Sequence, residues 1–313
     1  MARKLIIDCD PGIDDAIALV LALCEPRLEV VAITATAGTV SVEQSASNVA
    51  AVIEQVDPAR YPRIGIASPL TLSPGVDGRG LHGEDGLGNL GLEGARTQRQ
   101  LAAEKLLADE VRAAPGGVTL LCTGPLTNIS RALQRDPGLV ELIDRVVITG
   151  GSVQAGGDVT AAAEFNIYCD PESARHVLRS PLTKTLVPLD VVRQFTFSVG
   201  LLQELPREDS RAGRFLRRML PHAFRAYHQR LGTESVRLQA LLGLLAVLEP
   251  AIFRMEELQV DVETVGQLTL GTTVFDRRHP RRQQSDTEVA LEIDAVSAMQ
   301  HVRQLLEQAG SAT

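Results

Sequence analysis

The segment LIIDCDPGIDDA, residues 5–16, decides the fold because it joins a buried strand to a helix through a Pro-Gly turn. Its apolar start is typical of a strand that is covered on both faces of a sheet. Pro11 and Gly12 turn the chain, and Asp14 and Asp15 then open a helix, where the N-terminal dipole favours negative charge. The segment therefore predicts the first strand-helix unit of a parallel sheet.

The same alternation of short apolar runs and helical patterns continues along the chain. The predicted strands after the first are 28–34, 63–67, 118–123, 145–151 and 185–189. The predicted helices are 14–23, 42–55, 102–113, 126–133 and 171–179. Such alternation favours an α/β fold with a doubly wound, mainly parallel sheet flanked by helices.

The C-terminal third departs from this alternation. Residues 198–249 are predicted to be helical throughout, residues 257–293 to form strands, and residues 295–308 to form a last helix. We expect the helical insertion to form a lid over a site at the C-terminal edge of the strands. We predict that residues 1–313 form a single domain.

Charge and composition narrow the possible partners. The chain has 313 residues, with 31 basic and 39 acidic side chains and a formal charge of −8. An acidic chain of this kind is not expected to bind nucleic acid, which requires clustered Lys and Arg. The densest basic stretch, residues 277–282, is interpreted as a solvated turn. The partner that we predict is a small molecule.

The cysteines and the apolar runs indicate the cellular compartment of the protein. Cys9, Cys24, Cys122 and Cys169 contain no CxxC pair and fit small buried thiols in a reducing cytoplasm. We expect no secretory leader and no membrane partner, because no apolar run approaches the length of a membrane span. The chain is therefore predicted to be cytoplasmic.

Four aspartates crowd the first turn: Asp8, Asp10, Asp14 and Asp15. Asp8 and Asp10 are two positions apart and are expected to face the same side of an extended strand. The carboxyl edge of a parallel sheet is where open α/β folds bind ligands. Any one aspartate can serve as a helix cap, but four together repel one another unless a hard cation such as Ca²⁺ or Mg²⁺ lies among them.

Two other acidic motifs share features with this segment. An EF-hand loop beginning at Asp8 requires Gly at its sixth position and Glu at its twelfth, where this chain has Ile13 and Leu19. A haloacid-dehalogenase-type phosphatase also begins with an apolar strand and DxD, but its fifth position is Thr or Val, whereas this chain has Gly12. The phosphatase remains the alternative from a different reaction class.

Six motifs in order along nearly the whole chain resemble the inosine/uridine-preferring nucleoside hydrolases. They are DCDPGIDDA (8–16), HGEDGLG (82–88), TGPLTNIS (123–130), the GG and EFNIYCDPESA stretch (150–174), VPLDV (187–191) and VETVGQLTLGTTVFD (262–276). The resemblance implies a nucleosidase of purine or pyrimidine salvage that cleaves the N-glycosidic bond of ribonucleosides. It also implies a bound Ca²⁺, no organic cofactor, and a homodimer or homotetramer.

The resemblance assigns roles to individual residues. Asp10 would be the catalytic general base toward a Ca²⁺-activated water, and the metal ligands would be Asp10, Asp15 and the Thr123 carbonyl. The substrate-binding residues would be Asp14, Thr39, His82, Asp158, Glu164, Asn166 and Gln239. For Glu164 a helix cap is the structural alternative, and for His82 a turn residue bonded to backbone. Such a ring of carboxylates and amides suits the positive charge that develops on the ribose during cleavage.

Four positions depart from the family pattern. Thr39 replaces an Asn that contacts substrate, and Asp158 stands where the family has an amide. Gln239 and Ala240 occupy the positions of a His-Asp pair, in which the histidine protonates the leaving base and the aspartate binds calcium. We therefore expect either a nucleosidase with altered specificity and weakened metal binding, or an impaired homologue that binds a ribosyl compound.

Overall fold

The computed structural model describes residues 2–68, 72–92, 94, 101–278 and 287–311. Its strands are β1 Arg3–Cys9, β2 Leu28–Ala35, β3 Arg63–Ile66, β4 Leu101–Ala102, β5 Val118–Cys122, β6 Arg145–Thr149, β7 Lys184–Val187, β8 Phe197–Ser198, β9 Ser235–Val236, β10 Phe253–Glu257, β11 Gln259–Val262, β12 Thr273–Asp276 and β13 Thr287–Ile293. Its α-helices are α1 Ile13–Cys24, α2 Val42–Val56, α3 Arg79–His82, α4 Ala103–Ala113, α5 Thr127–Arg135, α6 Phe165–Cys169, α7 Pro171–Arg179, α8 Leu189–Val192, α9 Leu201–Glu204, α10 Arg211–Leu231, α11 Gln239–Leu248 and α12 Ala295–Ser311.

A nine-stranded sheet forms the centre of the molecule. Its strand order is β10-β13-β7-β6-β5-β1-β2-β3-β4, and β1 lies between β2 and β5. Neighbouring strands are parallel except for the edge pair β10 and β13, which is antiparallel. The prediction of a mainly parallel α/β sheet flanked by helices is confirmed.

The sheet is covered on both faces, as its apolar strands predict. Leu5 and Ile7 of β1 pack in one core cluster with helices α1, α2, α10, α11 and α12. Ile6, which lies between them, packs in a second cluster with α4, α5 and α7. Successive side chains of a strand point to opposite faces, so a single continuous apolar run supplies both cores.

Local capping determines where several helices begin. Gly12 is the N-cap of α1, and its N–H donates to the Asp15 carboxylate at 3.2 Å. Ser210 caps α10 by accepting from the N–H of Gly213 at 3.0 Å, and Asp170 caps α7 by accepting from Ser173 at 3.1 Å. A side-chain acceptor satisfies N–H groups that have no partner inside the helix.

The prediction for residues 198–249 is partly wrong. Helices α9, α10 and α11 occupy most of this segment, but β8 and β9 pair across it through Phe197 and Val236. The edge strand β10 was not predicted, because its sequence FRMEE has only two apolar side chains and resembles a surface segment. Residues 269–272, expected in a strand, lie in the turn before β12.

The basic stretch at 277–282 lies only partly within the described residues. Arg278 is there and pairs with Asp276 at 2.7 Å. None of the helices in the described part of the chain has the length and apolar character that a bilayer crossing requires.

Candidate active site

A cleft of about 710 Å³ opens at the carboxyl edge of the sheet. It is lined by the ten residues to which the sequence assigned catalytic, metal or substrate roles: Asp10, Asp14, Asp15, Thr39, His82, Thr123, Asp158, Glu164, Asn166 and Gln239. Parallel strands bring Asp10 and Thr123 together because their carboxyl ends meet at this edge, and helices α1, α3, α6 and α11 bring others of the set. We call Asp10, Asp14, Asp15 and Glu164 the carboxylate floor, and Tyr227, Arg230, Arg237 and Gln239 the helical wall.

Asp10 lies at the bottom of the cleft and is 2% exposed. Its Oδ2 accepts from the N–H of Thr39 at 2.6 Å. A Cβ on Gly38 would lie 2.1 Å from Oδ2, and one on Gly124 would lie 2.6 Å from Oδ1. Two loops therefore press backbone against both carboxylate oxygens and hold Asp10 in one orientation. The sequence analysis missed both glycines, although each follows a parallel strand directly at the edge where ligands bind.

Asp15 is buried beside Asp10. Burial raises the pKa of Asp10 to about 8; Thr39 opposes the shift and the Asp14 charge increases it. Burial also raises the pKa of Asp15 well above its ordinary value, and Asp14 and Asp10 raise it further. Asp15 Oδ1 is buried and has no hydrogen-bond partner among the residues that the structure describes. Carboxylates this close and this dry favour a shared cation.

Asp8 does not belong to this cluster. Its Oδ1 accepts from the Thr34 hydroxyl and from Asn128 Nδ2 at 2.8 Å, and its side chain does not line the cleft. Thr34 lies directly opposite Asp8 in the β1 and β2 register. Asp8 thus connects β1 to β2 and α5, and grouping it with the three cleft aspartates was wrong.

Asp14 and His82 lie together at the start of α1. His82 Nδ1 accepts from the N–H of Ile13 at 2.9 Å and is 3.9 Å from Asp14 Oδ1. Burial lowers the pKa of His82, against the effect of Asp14. The ring is therefore neutral at pH 7 and its hydrogen is on Nε2. His82 therefore makes the backbone bond that the alternative expected, and it also lines the cleft.

Glu164 is held by three donors. Its Oε2 accepts from the N–H groups of Gly151 and Ile167, each at 3.0 Å, and its Oε1 accepts from Gln239 Nε2 at 2.9 Å. Glu164 therefore caps α6, as the structural alternative expected, while lining the cleft. Burial raises the pKa of Glu164 to about 7, and the Asp158 charge adds to the shift. Asp158 itself accepts from the N–H of Phe165 at 2.9 Å.

Asn166 uses both amide hydrogens on backbone. Its Nδ2 donates to the carbonyls of Thr123 at 2.8 Å and Thr149 at 3.1 Å. This leaves Oδ1 of Asn166 as an acceptor. The Thr123 carbonyl keeps a second lone pair for another ligand.

The oxygen donors of the cleft suit a divalent cation in part. No three His, Cys, Asp or Glu side chains in the described ranges are arranged to hold a metal ion by themselves. Asp10, Asp15 and the Thr123 carbonyl nevertheless supply hard oxygen donors, and the unpartnered Asp15 Oδ1 fits an ion ligand. Ala240 is buried, and its N–H is 3.5 Å from Asp14 Oδ2. The residues thus fit a hard cation with part of a full ligand set.

A second cleft, of about 670 Å³, lies elsewhere on the surface and contains none of the predicted site residues. The Asp190 carboxylate in it accepts from the N–H groups of Val153, Gln154 and Ala155. These bonds hold the loop at residues 153–155 in place, which gives Asp190 a structural role. The cleft at the carboxyl edge is therefore the candidate active site.

An α/β sheet with buried carboxylates at its carboxyl edge fits the class of metal-assisted hydrolases. A family model for inosine-uridine preferring nucleoside hydrolase matches residues 5–300. The chain is 32% identical to the inosine-uridine preferring nucleoside hydrolase of Crithidia fasciculata, over 94% of both chains. It is 38% identical to the non-specific ribonucleoside hydrolase RihC of Salmonella agona, over 96% of both.

A solved structure agrees with these relatives. The purine-preferring ribonucleoside hydrolase from Gardnerella vaginalis superposes with a TM-score of 0.90 at 25% identity, covering 99% of this chain and 100% of that one. The chain belongs to the inosine-uridine preferring nucleoside hydrolase family, a family of enzymes that cleave N-ribosyl bonds. The match supports that chemistry over the phosphatase alternative.

Proposed function

We propose that this chain hydrolyses ribonucleosides to ribose and free base, with Asp10 as general base and with Asp14 and Glu164 of the carboxylate floor binding the sugar. The observation that supports this most strongly is the meeting of Asp10, Asp14, Asp15, Glu164 and Asn166 in one cleft. The family relatives named above act on ribonucleosides, which supports the same substrate class.

Asp10 is suited to take a proton from the attacking water. Without a cation, burial raises the pKa of Asp10 to about 8; the positive charge of a bound cation would lower this pKa and keep the carboxylate ionised, as a base requires. Thr39, Gly38 and Gly124 hold the carboxylate, so little reorganisation is needed during the reaction.

The sugar would be gripped by acceptors from two sides. Asn166 Oδ1 and Glu164 Oε1 can accept from ribose hydroxyls on one side, and Asp14 can do so on the other. The N–H of Ala240, at the N-terminus of α11, lies 3.5 Å from Asp14 Oδ2, so the positive end of the helix dipole faces this carboxylate. Negative groups around the ring stabilise the developing positive charge more than the neutral ground state.

A divalent cation, Ca²⁺ in this proposal, would be held by Asp10, Asp15 and the Thr123 carbonyl. Such an ion, when bound, lowers the pKa of a coordinated water and orients the sugar hydroxyls. A cytoplasmic location and a homodimer or homotetramer belong to the same proposal.

The test is release of reducing sugar from a panel of purine and pyrimidine ribonucleosides, with Ca²⁺ or with a chelator. Sugar release that requires the cation supports the proposal. Because Gln239 does not titrate and Ala240 has no donor side chain, a binding protein for ribosyl compounds is the second candidate. It is supported if calorimetry detects ribose binding while no nucleoside is cleaved.

A further inference from the structure

Arginine side chains line part of the cleft, whose floor is acidic. Three arginines line the cleft, Arg193, Arg230 and Arg237. Arg193 donates to the carbonyls of Ala155 and Gly157, so its guanidinium is already bound. Arg230 packs on Gly80, where a Cβ would lie 2.9 Å from its Nη1.

Arg237 differs from Arg193 and Arg230 in the contacts of its guanidinium. Within the described ranges its guanidinium has neither an ion pair nor a hydrogen bond, although Arg237 is half-buried. The hydroxyl of Tyr227 donates to the backbone carbonyl of Arg237 at 3.3 Å. Burial and Asp14 raise the pKa of Tyr227, whereas the Arg237 guanidinium opposes the shift, so the charge lies near the phenol. An aromatic ring and a free guanidinium therefore adjoin each other in the wall.

We propose that Arg237 recognises the nucleobase, and that the substrates of this chain are ribonucleosides whose base is an anion or leaves as one. The inference rests on the proposed ribonucleoside hydrolysis and deepens it by naming the substrate class. The planar fork of a guanidinium matches two neighbouring oxygens on a flat ring, and charge-assisted hydrogen bonds of this kind are among the stronger ones.

The leaving step explains why such a cation is useful here. Water adds to C1′ and gives its proton to Asp10, while the bond from C1′ to the base nitrogen breaks and its electron pair stays on that nitrogen. Gln239 cannot protonate the nitrogen, and its amide nitrogen already donates to Glu164. The base then departs as an anion beside Arg237 and takes a proton from solvent afterwards, so the balance is nucleoside plus water to ribose plus base.

A phosphate on the sugar is the other anion that an arginine could bind, and the charges disfavour it. A phosphate on the Glu164 side of the ribose would lie near two acidic side chains, because the Asp158 charge raises the pKa of Glu164. Arg193, whose charge reaches Asp158, already donates to the carbonyls of Ala155 and Gly157. The charges of Asp14 and Asp158 also reach Tyr227, but there the Arg237 guanidinium opposes them.

The experiment compares substrates that differ in one acidic group. Orotidine and uridine differ by a ring carboxylate, and xanthosine differs from inosine by an additional ring carbonyl that makes a ring N–H acidic. Values of kcat/KM are measured by sugar release for the wild type, Arg237→Met and Arg237→Lys. Arg218→Met is the matched control, since Arg218 is exposed on α10 and does not line the cleft. Uridine 5′-phosphate tests the sugar-phosphate alternative.

We expect the wild type to favour orotidine, xanthosine or both over their neutral partners. Arg237→Met should lower kcat/KM for the preferred acidic substrate by about 10- to 100-fold and for the neutral ones by less than about 3-fold. The kcat/KM of Arg237→Lys for the acidic substrate should lie between those of the wild type and Arg237→Met. Arg218→Met should leave kcat/KM unchanged for both acidic and neutral substrates. Preference for orotidine alone assigns the contact to a carboxylate, and preference for xanthosine alone to the ring oxygens.

Equal losses on acidic and neutral substrates in Arg237→Met would overturn the inference, as would a preference for uridine 5′-phosphate. If the wild type cleaves no riboside, the proposed function fails, and calorimetry then decides the inference separately. Tighter binding of orotidine than of uridine that disappears in Arg237→Met supports base recognition, and equal binding of the two refutes it.

Discussion

The carboxylate floor and the helical wall meet in the same cleft but are built differently. Asp10 follows β1 directly, Asp14 and Asp15 begin α1, and Glu164 caps α6; each buried carboxylate of the floor accepts from backbone N–H groups. The wall comes from α10, the loop before α11 and the first residue of α11, so its side chains reach the site from residues far along the chain. In our proposal the floor acts on the bond that is broken, whereas the wall is where substrate preference can change.

The largest expected effect is on the floor. Asp10→Asn removes the proposed base and should lower kcat by about 10³-fold or more, as measured by sugar release. Asp8→Asn is the matched control, because Asp8 is equally buried two residues away but does not line the cleft. Its kcat should stay within about 5-fold of the wild type. A comparable loss in both variants would show that the aspartates act through folding, which thermal denaturation would reveal.

The next largest effect is on stability, which should depend on pH and on a cation through the carboxylate floor. Because the pKa of Asp10 rises to about 8 on folding, from about 3.9 in an unfolded chain, the cation-free folded state binds the extra proton. Its stability should therefore fall as pH rises from about 4 to about 8. Saturating Ca²⁺ requires the ionised carboxylates, so it should raise Tm by about 5 °C at pH 8 and by much less at pH 5.

Differential scanning fluorimetry with Ca²⁺ or with a chelator, over this pH range, checks the linkage. Asp10→Asn should abolish most of the Ca²⁺ effect at pH 8. A cation effect of the same size at both pH values would argue that the ion binds outside the floor.

The smallest effect belongs to the wall. Gln239→Leu removes the donor to Glu164 Oε1 and leaves that buried oxygen without a protein partner. We expect KM to rise about 10-fold, with kcat changed by less than about 3-fold. Gln203→Leu, an exposed glutamine on α9, is the control and should change neither constant. An unchanged KM in Gln239→Leu would mean that Gly151 and Ile167 alone orient Glu164.

The floor and the sheet could be predicted because their signals are local. Helix α7 begins and ends where the sequence predicted, since Asp170 and Pro171 mark its start. Short or charged edge elements could not be predicted: β8 and β9 have two residues each, and β10 has a charged sequence. The bond between Gln239 and Glu164 joins residues 75 positions apart, and no local pattern encodes such a contact.

The tight approach of Gly38 and Gly124 to Asp10 has a consequence for anyone who wishes to re-engineer this enzyme. Every residue with a Cβ at either position would push on the Asp10 carboxylate, so neither loop can be diversified at these points without moving the proposed base. Directed evolution of new specificities is therefore better aimed at α10 and the residues before α11, leaving these two loops untouched.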